Sequence, residues 1–330
     1  MTWLERQWQS RTAGAALLYP LSLLFGAAAA GRRALYRAGI LKRERLRVPV
    51  IIVGNITAGG TGKTPLVLWL CNWLRAHGYH PGIVTRGYGG SAAQPRPVGI
   101  DADPARDGDE AVLLAARSAC PVWSGRERAA AGRALLNAHP ECDVVVADDG
   151  LQHYALERDI EIAVVDGERG NGNGWLLPAG PLREPPSRLH TVDAVVVNGR
   201  ATPDAANGVA TFGMQLAGDR FYNLAGRDRS AGPRDFAGKS VHAIAGIGHP
   251  QRFFRHLEQL GMTISAHPYP DHHAFTRDDL SYDGADAIVM TEKDAVKCLR
   301  FATQRCWVLP VDAHVDSALG ALVLRKLESV

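Results

Sequence analysis

Eight residues constrain this chain more than any others: TAGGTGKT at 57–64. They lie between an apolar, β-branched run, VPVIIVGN (48–55), and a segment with apolar residues at helical spacing, PLVLWLCNWLRAHG (65–78). Strand, glycine-rich turn and helix in that order make the setting of a phosphate-binding loop. Glycine tolerates the dihedrals that turn successive N–H groups inward, so Gly59, Gly60, Thr61 and Gly62 can cradle phosphate oxygens. Lys63 then bridges the β- and γ-phosphates of ATP, the Thr64 hydroxyl is placed for Mg2+, and the helix N-terminus adds its dipole. Asn55, Thr57 and Ala58 complete the expected ATP-contacting stretch. Where the pattern GxxxxGK has its first glycine, this chain has Thr57.

Such a loop calls for a second strand that ends in carboxylates. CDVVVADDG (142–150) supplies one, with Asp148 and Asp149 expected to hold Mg2+. HPGIVTRG, PVWSG, EIAVVDG and VDAVVVNG read as further strands, and DEAVLLAARSA and RERAAAGRALLNAH as helices. Val and Ile in runs without alternation mark strands covered on both faces. The expected fold class is therefore α/β, a P-loop NTPase-like parallel sheet flanked by helices. A length of 330 residues suits two domains. The expected division places the phosphate-loop domain at 48–202, a linker richer in Gly, Pro, Asn and Arg at 203–238, and a smaller α/β domain at 239–330. In the last, SVHAIAGIGHPQRFFRHLEQLG repeats strand–turn–helix, and ADAIVMT and CWVLPV add strands. With 46% hydrophobic and 22% charged residues, collagen-like, disordered and multi-span membrane proteins are excluded. The five cysteines form no CxxC, so reduced thiols are expected and no zinc site is indicated.

Residues 1–47 read differently. Between Arg11 and Arg32 the chain carries no charge, and then Arg32, Arg33, Arg37, Lys42, Arg43, Arg45 and Arg47 stand against Glu44 alone. The net charge of the whole chain is +3, so the remainder is slightly acidic and the basicity is a local patch. A helix of twenty residues would just reach across the roughly 30 Å of a hydrocarbon core. The run is rich in Ala and Gly and contains Pro20, and its positive charge follows the apolar stretch rather than leading it, unlike a cleaved signal. A helix in the cytoplasmic leaflet, with Arg32 to Arg47 on anionic headgroups, is the favoured reading; a full span stays open, as does a buried helix of a soluble domain.

The blocks GNITAGGTGKTP (54–65), RGYGG (86–90), GDEA (108–111), SGRER (124–128), DDGLQH (148–153), GPLREP (180–185), DHHAF (271–275) and TEKDAVK (291–297) occur in this order. Together with the apolar amino terminus, the set resembles the tetraacyldisaccharide 4′-kinase family, the lipid A 4′-kinases of Gram-negative bacteria. The resemblance runs from about residue 54 to about 297. It implies a P-loop fold in two α/β/α domains with the cleft between them. It implies ATP- and Mg2+-dependent phosphorylation of the 4′-hydroxyl of tetraacyldisaccharide 1-phosphate, a step of lipid A and lipopolysaccharide biosynthesis at the cytoplasmic face of the inner membrane. Two departures are visible: Ala111 where the family often has Pro, and Leu151 where Phe is common.

The resemblance implies roles residue by residue. Asp109 of the GDE block is the base that takes the sugar hydroxyl proton, and a histidine of the DHH block supports it. His272 is the favoured histidine, with the adjacent His273 left open. Glu110 is implied near Mg2+, and Gln152 and His153 should face the same cleft. Arg86, Arg126 and Arg183 suit phosphate oxygens, and Tyr88 could pack on a sugar ring. If Asp109 and His272 meet across two domains, the ligands should draw those domains together. No nucleic acid and no obligate protein partner are expected. A membrane-recruited switch ATPase acting on a partner protein is the main alternative; it leaves the DHHAF and TEKDAVK blocks without a use. A nucleic-acid-binding ATPase would use the basic stretch, against the apolar run beside it.

Overall fold

In a computed structural model, the described residues are 3–88, 90, 94–199 and 208–330. Gly89 of the RGYGG block and residues 203–207 of the expected linker lie outside them. The Val/Ile runs form the expected sheet. From one edge its nine strands are Asp312–Val315, Thr211–Ala217, Ala194–Asn198, Ile160–Asp166, Val50–Gly54, Val144–Asp148, Pro81–Thr85, Val122–Ser124 and Arg96–Pro97. All pairs are parallel except the outermost at each edge. Every residue of Val50–Gly54 and Val144–Asp148 is buried, as strands covered on both faces must be.

Helices supply both covers. On one face, Lys63–Ala76 buries Leu66, Leu70, Cys71 and Leu74, and Asp109–Arg117 adds Ala111, Val112 and Leu114. On the other, Arg128–Ala138 contributes Leu135 and Leu136, joined by Leu151 and Leu182. Truncating a fully buried residue such as Leu70 to Ala should cost about 2–5 kcal/mol. Because the strands run parallel, the phosphate loop after Val50–Gly54 and the Asp pair after Val144–Asp148 emerge at the same end of adjacent strands. The sheet itself brings the two motifs together.

A second sheet orders Ser230–Ala231, Phe221–Asn223, Cys306–Leu309, Ala287–Thr291, Val241–Ala245 and Ser265–Pro268. Its core gathers Phe221, Phe236, Phe253, Phe254 and Leu257 around Ala243 and Val289.

The sheets do not follow the division expected at 203–238 and 239–330. Thr211–Ala217 is a strand of the large sheet, and Phe221–Asn223 already belongs to the small one. The carboxyl end returns to the large sheet through Asp312–Val315 and the helix Ser317–Leu327. The reason is an apolar stripe: Leu319, Val323 and Leu327 recur at four-residue spacing and join the core that covers Lys63–Ala76. The chain therefore crosses between sheets twice, near 218–220 and near 310–311. A side chain at Gly218 would collide with the Pro310 carbonyl, so the crossings lie side by side.

The helix Ala13–Arg37 is capped at its start by the Thr12 hydroxyl and contains Pro20. One narrow stripe touches the protein: Ser22 donates to the Leu176 carbonyl at 2.8 Å and accepts from Ala179 N–H at 2.9 Å. Gly26 faces Leu176 so closely that a Cβ would lie 2.7 Å away. The other faces stay open, with Leu17 82% exposed and Leu21 and Leu24 on the same side of the helix.

Candidate active site

The phosphate loop is built as its glycines require. Gly59 and Gly62 hold φ of +90° and +96°, values that side chains with a Cβ rarely adopt. A Cβ at Gly62 would also lie 2.6 Å from the Asn198 amide. Asn198 donates to the Thr61 carbonyl at 3.0 Å, Asn55 to the Thr61 hydroxyl at 3.2 Å, and Arg169 to the Gly60 carbonyl. Ala58 N–H is taken by Pro181 at 2.7 Å, while Thr57 bridges to Leu182. The N–H groups of Gly59, Gly60, Thr61 and Gly62 donate to no backbone carbonyl among the described residues. The carbonyls are fixed outward and the donors are left for an anion.

Lys63 is buried at the loop's end, with Nζ 3.5 Å from Asp149. Asp149 also takes Arg183 Nη1 at 3.0 Å from both oxygens. Burial would raise the Asp149 carboxyl, but Lys63 and Arg183 outweigh it and hold it well below the carboxylate range. Its φ of +47° is a left-handed conformation for a residue with a Cβ. Arg128, buried beneath the turn, donates to the Asp149 carbonyl at 2.6 Å and helps hold that conformation.

Asp148 is the opposite case. It is fully buried, and neither carboxylate oxygen has a hydrogen-bond partner among the described residues. Burial first, and then the nearby Glu110 charge, push its pKa up to about 7. A pair of carboxylate oxygens without donors, at the end of the strand next to the phosphate loop, fits a hard cation such as Mg2+. Of the other residues expected near metal, Asp149 is tied to Lys63 and Arg183, and Glu110 is 3.1 Å from Lys293 Nζ.

The second sheet brings His272 to Asp109. His272 Nδ1 lies 3.1 and 3.0 Å from the two oxygens of Asp109, across 163 residues of chain. Burial alone would raise Asp109, yet the His272 hydrogen bond and the Lys293 and Lys297 charges leave it below the usual carboxylate range. The His272 imidazole moves the other way: burial lowers it, and the bond to Asp109 raises it above 6.5 overall. Its φ is +59°, a second left-handed residue in the cleft. His273 instead reaches Asp279 at 3.3 Å and packs between Tyr269 and Phe275. Tyr88 is exposed and lies over the His272 ring at 5.0 Å between centroids.

The remaining expected residues divide. Gln152 donates to the Asn55 carbonyl and to Glu184, both at 2.9 Å, so it braces the strand before the loop. His153 is half-buried among arginines; burial first, then Arg128 and Arg158, lower its pKa to about 3, so its ring is neutral. Arg86 and Arg126 are exposed, and no hydrogen bond ties either to the site among the described residues.

Four residues escaped the sequence reading: Asn198, Arg169, Asp271 and Lys293. Lys293 Nζ spans Glu110 at 3.1 Å and Asp271 at 3.2 Å, joining the two sheets beside the Asp109–His272 pair. Lys297, one turn on, lies 3.8 Å from Asp109. The four-residue spacing of these lysines in TEKDAVK puts them on one helical face and could have flagged them. A cavity of about 510 Å3 lies between the units. Lys63, Thr64, Glu110 and Lys293 line its polar end, and Leu68, Ile247, Phe253 and Leu309 line an apolar part.

Comparisons with known proteins agree over nearly the whole chain. A profile of the family described as tetraacyldisaccharide-1-P 4′-kinase (LpxK) matches residues 14–328. A tetraacyldisaccharide 4′-kinase of Methylobacillus flagellatus is 51% identical over 98% of this chain and 96% of its own. That of Aromatoleum aromaticum is 52% identical over 97% and 96%. A crystal structure of LpxK from Aquifex aeolicus in complex with ATP has 27% identity and a TM-score of 0.78, covering 95% of this chain and 99% of that one. The expected α/β fold stands, and the chain belongs to the tetraacyldisaccharide-1-P 4′-kinase family.

Proposed function

We propose that this kinase transfers the γ-phosphoryl group of ATP to the 4′-hydroxyl of tetraacyldisaccharide 1-phosphate, giving the 4′-phosphorylated lipid A precursor and ADP. The observation that carries the reading is the Asp109–His272 pair, set beside the Glu110–Lys293 wall of the cavity that Lys63 and Thr64 also line. A base in that position could meet an acceptor hydroxyl beside a phosphate held on the loop, which supports the reading.

The loop N–H groups and Lys63 bind the phosphates, and the apolar part of the cavity suits the purine. Thr64 and Asp148 would hold Mg2+, with Asp149 and Glu110 close by. When bound, the ion neutralises charge that develops on the transferring group. Asp109, kept ionised by His272 and the two lysines, accepts the hydroxyl's hydrogen bond, aims its lone pair and collects the proton as the O–P bond forms. A carboxylate with a depressed pKa is a weak base, so alignment is its larger contribution in a loose phosphoryl-transfer transition state. Arg183, Arg86 and Arg126 remain the side chains best suited to substrate phosphate, and Tyr88 to a sugar ring.

The exposed apolar stripe at Leu17, Leu21 and Leu24, opposite the stripe that docks on Leu176, supports a helix lying in the cytoplasmic leaflet. The acyl chains can then stay in the bilayer while the head group enters the cleft. The test is transfer of γ-labelled phosphate from ATP to detergent-dispersed tetraacyldisaccharide 1-phosphate by wild type, Lys63→Ala and Asp109→Ala. Label in the lipid that vanishes in both variants is expected. Free phosphate released by the wild type without labelled lipid would sink the reading in favour of a switch ATPase.

A further inference from the structure

A second pocket, of about 220 Å3, opens where the amino-terminal helix ends. Arg33 and Arg37 of that helix and Arg43 beyond it form one wall, and Arg158, Arg188 and Tyr154 form the floor. Three carboxylates also line it, and each has other work. Glu161 holds Arg158 at 2.9 Å and Arg188 at 2.6 Å, Asp159 holds Arg45 at 3.2 Å, and Asp193 holds Lys326 at 2.7 Å. Arg33, Arg37 and Arg43 have no carboxylate partner among the described residues; Arg33 donates only to the Thr191 hydroxyl, at 3.0 Å. Arg188 is 1% exposed, and its guanidinium also bonds Thr191, at 2.7 Å. The pocket thus has a rigid, buried cationic floor and three guanidiniums short of an anion. Burial and the neighbouring Arg188 and Arg37 charges together depress Arg33, as cation crowding without a counter-ion does.

The pocket is not the phosphoryl-transfer site. Glu161 stands near the start of the strand Ile160–Asp166, whereas Asp166 at its far end holds the Arg169 that bonds the phosphate loop. At about 3.3 Å per residue the two ends are roughly 17 Å apart. On the opposite face of the same helix, Leu35 is exposed and continues the stripe of Leu17, Leu21 and Leu24, so the pocket sits at the helix's end on the side that docks on the body.

We propose that this arginine-lined pocket is a socket for the phosphate of an anionic phospholipid in the leaflet that receives the amino-terminal helix, separate from the substrate's own site. This rests on the reading that the chain works at a membrane surface. The planar guanidiniums take phosphate oxygens in pairs at headgroup height, above the apolar stripe that Leu35 continues on the helix's outer face. The socket fixes how the helix sits on the membrane, and with it the height of the cleft above the bilayer.

The experiment is partition of the full chain onto phosphatidylcholine vesicles with and without phosphatidylglycerol. Arg37 and Arg43 are exposed and have no ion-pair partner among the described residues, so Arg37→Ala/Arg43→Ala should keep the wild-type melting temperature. At about five-fold per cation near an anionic surface, that double variant should lose about twenty-five-fold in partition on the anionic vesicles only. Arg37→Lys/Arg43→Lys keeps the charge and loses the fork, and should still bind several-fold more weakly than wild type. Partition of the lysine variant equal to wild type would mean diffuse attraction and would overturn the socket. So would displacement of soluble short-chain phosphatidylglycerol by an equal concentration of inorganic phosphate, which would mark a simple anion site. A raised KM for detergent-dispersed tetraacyldisaccharide 1-phosphate in the alanine variant, without phospholipid present, would reassign the pocket to the substrate. Lys63→Ala should partition like wild type, so a failure of the kinase reading would leave this result standing.

Discussion

The two walls of the cleft are held by different forces. The phosphate-loop wall is held by short-range backbone geometry: positive-φ glycines, an amide from Asn198 and the clamp of Ala58 on Pro181 fix it within one sheet. The acid–base wall is held by charge across two sheets. Asp109 meets His272, Glu110 meets Lys293, and Arg117 meets Glu292 at 2.5 Å. Backbone geometry survives changes of pH and ligand, whereas ion pairs that bridge two bodies can be exchanged for others. One wall is fixed by backbone geometry, and the other by side-chain charges that a bound ligand could re-pair.

The sharpest way to break the comparison is to remove one group from each wall. Lys63→Ala should lower turnover by about 10^3-fold or more while leaving the His272 signal unchanged, since Lys63 touches Asp149 and not the pair. Asp109→Ala should cost about 10^2–10^4-fold in kcat with ATP binding nearly intact. Labelled-lipid assays together with nucleotide titrations separate the two. Equal losses of ATP affinity in both variants would mean the walls are not independent.

Gly248 tests the contact between walls. A Cβ there would lie 2.6 Å from the Gly60 N–H, so Gly248→Ala wedges the second unit off the phosphate loop. About a ten-fold fall in kcat/KM is expected, with the melting temperature nearly unchanged. Asp148→Asn exposes a cost stored in the rigid wall: activity should vanish, yet the nucleotide-free protein should gain about 1–2 kcal/mol on denaturant unfolding. A buried carboxylate without donors is held there against its own solvation. Loss of stability in that variant would show that Asp148 is satisfied without a cation.

This contrast also explains what the chain disclosed in one dimension. TAGGTGKT and CDVVVADDG could be read because a parallel sheet turns local strand–loop order directly into proximity. Asp109 and His272 could not be paired from the residues themselves, since one opens a short helix, the other sits in a loop, and only the docking of two sheets joins them; the family resemblance carried that step. The boundary at 239–330 failed because the helix Ser317–Leu327 has an apolar stripe whose partner, Lys63–Ala76, lies some 250 residues earlier. Lys293 and Asn198 were missed because a lone cation or amide acquires meaning only from what it faces. The arginines of 32–47 read as an evenly basic segment, whereas the fold satisfies Arg45 with Glu157 and Asp159 and leaves Arg37 and Arg43 without an ion-pair partner among the described residues.

The smallest expected effect is a pH dependence confined to the charge-held wall. His272 is raised above 6.5 by Asp109, so its contribution is fully present below about pH 6.5 and is lost as pH climbs through the raised folded value. Asp109 is depressed below 3.8, so its contribution is present above about pH 3.8 and disappears only as pH falls through the lower folded value. Both contributions are complete between those limits, where imidazolium faces carboxylate. The pair is partly solvated, which leaves about 0.5–1 kcal/mol after screening. His272→Ala should therefore destabilise the protein more at pH 6 than at pH 9, and a double-mutant cycle with Asp109→Asn should place the difference in the coupling between them. In Asp109→Asn, the His272 ring resonance should titrate at lower pH than in the wild type, because burial is then opposed only by the Asp271 charge. An unmoved titration would mean that Lys293, Asp271 and solvent set the ring's charge, and that the two units are held together without this pair.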